Sequence, residues 1–276
     1  IDPVGGAGCP YLGAFAETLN IDLIPINGEP SGYLAREAEP RPRSAAQMAS
    51  IIGPVGGDVG FILSSDMNRL SLVSELGQPV TEEYTFAVIA NHILKKRTGT
   101  VVTNVCTTKT IDDIAAKHGA EVVKTQVGQA YVTSTLADEG GVLGGEGSGS
   151  VALREFGLCF DGFLMIGLVL KAMADADTTL SELIRDLPRY HIHKRAVPSD
   201  SIKAHRAMQS VMDEAATFQE ARKDFTDGIR LDWDDGWVHV RTSRTQKLVR
   251  VISEATSRDA AERRANEVVR VIRRYS

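Results

Sequence analysis

Hydrophobic and polar positions change their period several times along this chain, and each change marks an element. Tyr11, Leu12, Phe15 and Leu19 recur near the helical repeat, between a strand end at residues 1–4 and the apolar run from Ile21 to Ile26. That order predicts a β-α-β unit. A polar connector with Pro30, Pro40 and Pro42 follows, and then a helical stretch near residues 45–52. Residues 59–63 and 70–73 flank a short polar loop and predict a hairpin, and Thr81 opens a helix to about Lys96.

After Lys96-Arg97-Thr98-Gly99 the pattern restarts. It predicts a strand over residues 101–106, a helix from the capping signal Thr110-x-x-Asp113 to His118, and a strand over 121–124. A glycine-dense stretch, 140–149, precedes a helix over about 162–173. The recurrence predicts an α/β fold with two similar modules, residues 1–97 and 98–190, each on a mixed, largely parallel sheet. Residues 199–276 read differently: a helix over 202–211, strands over 228–231, 237–240 and 248–252, and a last helix with Ala261, Ala265, Val268, Val269 and Ile272 on one face. That is a C-terminal α+β module.

Composition narrows the classes. With 43% hydrophobic and 24% charged residues the chain is an ordinary folded protein. Its longest apolar run, residues 163–170, is far short of the roughly 20 residues that a membrane span needs. The formal charge of -5 is uneven, because residues 241–276 hold ten Lys/Arg against four Asp/Glu. No aromatics interleave that basic stretch and the rest is acidic, which disfavours nucleic acid as a partner. Cys9, Cys106 and Cys159 are odd in number and far apart, which fits a reducing, cytoplasmic setting. Ile1-Asp2-Pro3 opens without Met or a leader, and the expectation is that a natural beginning is missing.

Several motifs read blandly. Gly5-Gly6-Ala7-Gly8 fits neither phosphate-loop spacing and reads as a turn that lets a helix pack close to a strand. Ser148 lies between glycines but lacks the G-x-S-x-G frame of a hydrolase elbow, and His191 and His193 alternate as on a solvated strand face. Three loops carry more. Ser64, Asp66 and Asn68 project oxygens from one tight turn, an arrangement suited to a hard cation, although only one is anionic; on its own the segment reads as a hairpin loop. Glu146 and Ser148 in Gly144-Gly145-Glu146-Gly147-Ser148-Gly149 are able to bond polyol hydroxyls, and read equally as a solvated loop. Residues 241–250 gather Arg241, Ser243, Arg244, Thr245 and Arg250 between two strands, a natural phosphate nest.

Taken in order, these loops resemble the α-D-phosphohexomutase family, the phosphoglucomutases and phosphomannomutases. Asp2-Pro3-x-x-Gly6-x-Gly8 is similar to the start of the family's second domain, and residues 60–70 to its metal loop. Thr125-x-Val127-Gly128 and residues 144–149 are similar to its third-domain signatures, Asp161-Gly162 follows in place, and residues 241–250 resemble its phosphate loop. The resemblance implies an enzyme that interconverts hexose 1- and 6-phosphates in carbohydrate metabolism. A phosphoserine on a first domain, which no segment here resembles, would carry the phosphoryl group, with Mg²⁺ on the acidic loop. It implies a hexose phosphate as partner. It also implies Ser64, Asp66 and Asn68 as metal residues, Arg69 as the catalytic cation, Glu146 and Ser148 as sugar residues, and Arg241, Ser243, Thr245 and Arg250 as phosphate residues. Departures from the family pattern stand at Ser64 and Asn68 in place of carboxylates, at Gly147, at Ala130 in place of a basic residue, and at Arg244, Gln246 and Lys247. They keep open a non-catalytic phosphosugar-binding or regulatory module, including one fused to a sugar-nucleotide pyrophosphorylase.

Overall fold

The structure, a computed structural model, describes residues 1–199, 201–214, 221–243 and 246–274. The first unit is built from residues 1–103, 111–123 and 129–187. Its elements, in chain order, are α1 (Leu12–Leu19), α2 (Ala46–Ile51), β1 (Val59–Leu63), β2 (Leu70–Ser74), α3 (Glu83–Lys96), β3 (Val101–Asn104), α4 (Thr110–Lys117), β4 (Val122–Thr125), α5 (Gln129–Asp138), β5 (Leu143–Glu146), β6 (Ser150–Leu153), α6 (Gly162–Ala176) and α7 (Leu180–Arg185). β1 and β2 form the predicted antiparallel hairpin, with Leu63 opposite Leu70. The other sheet runs β4-β3-β5-β6, parallel between β3 and β5 and antiparallel between β5 and β6.

Alternation along these short strands sorts their side chains into two cores. Val101, Leu143, Val151 and Leu153 join Phe86, Ile89 and Leu94 of α3 and Met165, Ile166 and Val169 of α6 in one cluster, whereas Val102 and Ala152 pack with Val132 and Leu136 of α5 in another. β4 and β5 are joined through α5, whose helix the sequence pattern left unmarked.

Residues 21–26 depart from expectation. They form no strand; Ile1 bonds to Ile24 and Ile26 through the backbone, and Asp2 makes an isolated parallel bridge to Ile62. From this run only Ile26 and, in part, Leu23 join a core, while Ile24 is exposed. Asp2, 1% exposed, holds this region: its carboxylate accepts from Val4 N at 2.8 Å and Arg36 Nε at 2.7 Å.

The second unit comprises residues 104–110, 124–128 and 188–276. It contains β7 (His191–Pro198), α8 (Ser201–Glu214), β8 (Arg222–Asp224), β9 (Ile229–Trp233), β10 (Gly236–Thr242), β11 (Leu248–Ala255) and α9 (Arg258–Arg274). The strands form one antiparallel sheet in the order β7-β11-β10-β9-β8. One face is apolar: Ile229, Leu231, Val238, Val240, Val249 and Val251 bury against α8 and α9, and all five apolar positions predicted for the last helix are buried. The other face is polar and carries Arg230, Trp237, His239 and Glu254, covered by residues 104–110 and 124–128. Arg230 Nη1 donates to Val105 O, Lys109 N donates to Glu254 Oε1 at 2.7 Å, and Val127 N donates to Asp227 Oδ2 at 3.1 Å. Arg230 also stacks on Trp237 at 4.4 Å and pairs with Asp232 at 2.7 Å, which satisfies a guanidinium that is 2% exposed.

Candidate functional site

In the first unit two of the three loops meet. Leu70, which follows Arg69, donates its backbone N–H to Gly149 O at 2.8 Å, and Thr85 Oγ1 of α3 donates to Leu70 O at 2.7 Å. Gly149 has φ +82°, and a Cβ there would overlap Leu70 O, so only glycine lets the strands come this close. The Gly5 to Gly8 turn packs on the hairpin loop from another side: Ala7 N donates to Ser65 O at 2.9 Å, and a Cβ on Gly6 would lie 2.5 Å from that oxygen. Asp161 caps α6 by accepting from Leu164 N at 2.7 Å, while Gly162 lets the helix start against Leu63 and Met67.

The hairpin loop is closed on itself. Ser64 Oγ donates to Asp66 Oδ1 at 2.5 Å, Asn68 N donates to the same oxygen at 3.1 Å, and Asn68 Nδ2 donates to Asp66 Oδ2 at 3.1 Å. Arg69 N donates to Ser64 Oγ at 3.0 Å. Partial burial alone would raise the Asp66 pKa, but these donors hold it below the usual aspartate value. Arg69 Nη1 pairs with Glu39 Oε1 at 2.8 Å. Mg²⁺ calls for anionic oxygens with free lone pairs. Here two of three positions are neutral and both spend their hydrogens on the only carboxylate, so the loop does not fit that ion. Among the described residues no group of three or more His, Cys, Asp or Glu side chains is arranged to hold a metal.

The glycine loop carries Glu146, at 9% exposed, and Ser148, whose Oγ lies 3.3 Å from Ser150 Oγ. Thr103 Oγ1 donates to Gly145 O at 2.8 Å from the neighbouring strand. Glu83, at the first position of α3, lies against Gly147. Sequence periodicity missed it, because a carboxylate opening a helix reads only as a favourable partner for the helix dipole.

In the second unit the register places Arg241 of β10 directly opposite Arg250 of β11. Among the described residues the Nε atoms of both are buried without a hydrogen-bond partner, while Arg250 Nη2 donates to Gln246 Oε1 at 2.9 Å. Like charges directly opposite across a ladder cost stability. An anion between them removes that cost, because each guanidinium presents paired donors. Ser243 Oγ accepts from Gln246 N at 3.2 Å, and Ser243 N donates to Leu248 O at 2.9 Å, closing the turn. Arg244 and Thr245 lie outside the described residues. On the same face as Arg241, two residues back, His239 Nδ1 meets Cys106 Sγ at 2.9 Å while Nε2 donates to Asp227 O. This partly buried thiol–imidazole contact carried no sequence signal, since its partners lie 133 residues apart. Burial lowers the His239 pKa to about 4, so the ring is a poor base.

Among the described residues no helix is long and apolar enough to cross a membrane, and no disulfide joins the cysteines.

Residues 81–190 match the description "Phosphoglucomutase/phosphomannomutase, alpha/beta/alpha domain III", and residues 202–271 match "Phosphoglucomutase/phosphomannomutase, C-terminal domain". A phosphoglucomutase/phosphomannomutase of Thermococcus kodakarensis is 32% identical over 95% of this chain. A Thermococcus gammatolerans protein named "Probable phosphoglucosamine mutase" is 34% identical over 95%. The chain spans 57% and 59% of the lengths of these relatives. Among solved structures, a phosphoglucomutase/phosphomannomutase family protein of Burkholderia thailandensis superposes with a TM-score of 0.88 at 21% identity, over 99% of this chain and 59% of that one. An Aspergillus fumigatus N-acetylphosphoglucosamine mutase, solved with GlcNAc-6P and magnesium, gives 0.70 at 15% identity over 98% of this chain and 64% of that one. At such identities the structural likenesses speak to the fold alone. The loops in their order, the matched domains and the related sequences agree, and the chain belongs to the α-D-phosphohexomutase family.

Proposed function

We propose that this chain is the sugar- and phosphate-recognising portion of a phosphohexomutase. In this reading residues 1–97, 98–190 and 199–276 correspond to the family's second, third and fourth domains. The ligand is a hexose phosphate. Within the first unit Glu146 and Ser148 are the residues for sugar hydroxyls, and within the second Arg241, Ser243, Thr245 and Arg250 are those for phosphate. The observation that carries the reading is the pair of opposed arginines whose buried Nε atoms have no partner among the described residues, because a dianionic phosphate satisfies both. Phosphoryl transfer rests on positioning and charge neutralisation around the transferred group. The serine that would carry that group belongs, in this reading, to the part of the protein beyond these 276 residues, and isomerase activity in carbohydrate metabolism is a property of the complete protein.

The closed Asp66 loop favours a second reading, a phosphosugar-binding module without metal-assisted turnover. Calorimetric titration with glucose 6-phosphate and glucosamine 6-phosphate, with and without Mg²⁺, tests both readings. Metal-independent binding lost in Arg241→Ala supports phosphosugar recognition. Absence of binding, or binding indifferent to Arg241→Ala, overturns it. Mutase turnover by the complete protein decides between enzyme and binding module.

A further inference from the structure

We propose that Glu83 is the positioning residue of the glycine loop, supplying from the first turn of α3 the side chain that Gly147 lacks. The inference rests on reading residues 144–149 as the hydroxyl-binding loop. Gly147 is absent from the glycines with positive φ, so its backbone conformation does not require glycine. The space a side chain would take there is filled by Glu83. A Cβ at 147 would overlap Glu83 Oε2 and lie 2.5 Å from Oε1 and from Cδ. One small volume therefore holds either a side chain on the loop or the carboxylate from the helix.

Glu83 is 3% exposed, and glutamate is rarely buried so completely unless the structure holds it in place. The surrounding attachments belong to the same corner: Thr85, two residues along α3, bonds to Leu70 O, and Leu70 N bonds to Gly149 O. Helix start, hairpin and glycine loop thus form one packed junction, with the Glu83 carboxylate pressed against Gly147 between Glu146 and Ser148. A carboxylate beside the loop thus comes from a different element and is set in place before any ligand arrives. Glu83 acts through Glu146 and Ser148 rather than by touching the sugar.

The test moves the carboxylate from the helix to the loop. In the 276-residue protein, Glu83→Ala is expected to raise amide hydrogen exchange across residues 145–149 by on the order of tenfold, the scale of an ordinary destabilising substitution at a buried position. Glu83→Ala combined with Gly147→Asp is expected to restore the protection, whereas Gly147→Asp alone forces two carboxylates into one volume and lowers the melting temperature more than the double variant does. Unchanged exchange in Glu83→Ala, or a double variant no better protected than the single, overturns the proposal. Should Glu83→Ala fail to fold, Glu83→Gln becomes the background, and additivity with Gly147→Asp is then the overturning result. Titration with glucosamine 6-phosphate runs in parallel. A wild-type chain that binds no phosphosugar counts against the hexose phosphate reading, while the exchange experiment still decides the role of Glu83.

Discussion

Lowering the pH should unfold the arginine-bearing unit through His239. The ring is fully buried, with Nε2 bonded to Asp227 O and Nδ1 against Cys106 Sγ. Burial depresses its pKa to about 4; the nearby Arg230 and Arg241 push the same way, and Asp227 opposes them. The folded state therefore holds the ring neutral while the unfolded chain takes up a proton near pH 6.5. Stability is fully present above the unfolded value and is lost as pH falls toward about 4. A gap of about 2.5 units corresponds to about 3 kcal/mol, of which about 2 kcal/mol is gone by pH 5. Glu254 works in the opposite sense: burial raises its pKa, so protonating it favours the folded state as pH falls. The informative quantity is thus the difference between wild type and His239→Gln, which keeps a donor for Asp227 O but does not titrate. Both tryptophans of the chain, Trp233 and Trp237, lie in this unit, so urea unfolding followed by tryptophan fluorescence reads it alone. Between pH 7.5 and 5.0 wild type should lose about 2 kcal/mol more than the variant. Parallel curves for the two proteins would refute the assignment of a neutral, buried ring.

Three further outcomes are expected. Millimolar Mg²⁺ should give no saturable heat with wild type, and a Ser64→Asp, Asn68→Asp double variant should gain binding; calorimetry reads both. Gly149→Ala should destabilise the first unit by about 1–3 kcal/mol, since it strains a left-handed backbone and pushes Leu70 O away, measurable as a shift in urea midpoint by far-UV circular dichroism. Arg250→Lys should weaken glucose 6-phosphate binding by on the order of tenfold, because an ammonium keeps the charge but loses the paired donors.

Elements set by local periodicity were legible in the sequence. The hairpin of residues 59–74 follows from two strand-like runs flanking a polar loop, and the apolar face of α9 from the helical repeat. The run 21–26 misled because its composition is strand-like while its neighbours offer only two backbone bonds to Ile1. α5 was hidden because its apolar positions are few and its polar residues frequent. The candidate loops were legible as spacings of oxygen and guanidinium groups, but the register that sets Arg241 opposite Arg250 was not, since the pattern ended its strand at Val240 while β10 runs on to Thr242. Glu83 and the Cys106–His239 contact were not, since each joins residues that only the folded chain brings together. The one clue to Glu83 was an unexplained glycine at 147.

The sheet that bears the opposed arginines draws two short excursions, 104–110 and 124–128, out of a much earlier stretch of the chain. Its polar side is finished by these borrowed segments, so a fragment cut to contain only the last four strands and their helices would turn Glu254, Trp237 and Arg230 toward water. Such an excised piece has no means of completing its own interior. Any scheme that recombines the tail of this protein with the body of a relative must therefore carry the matching excursions across together with the tail.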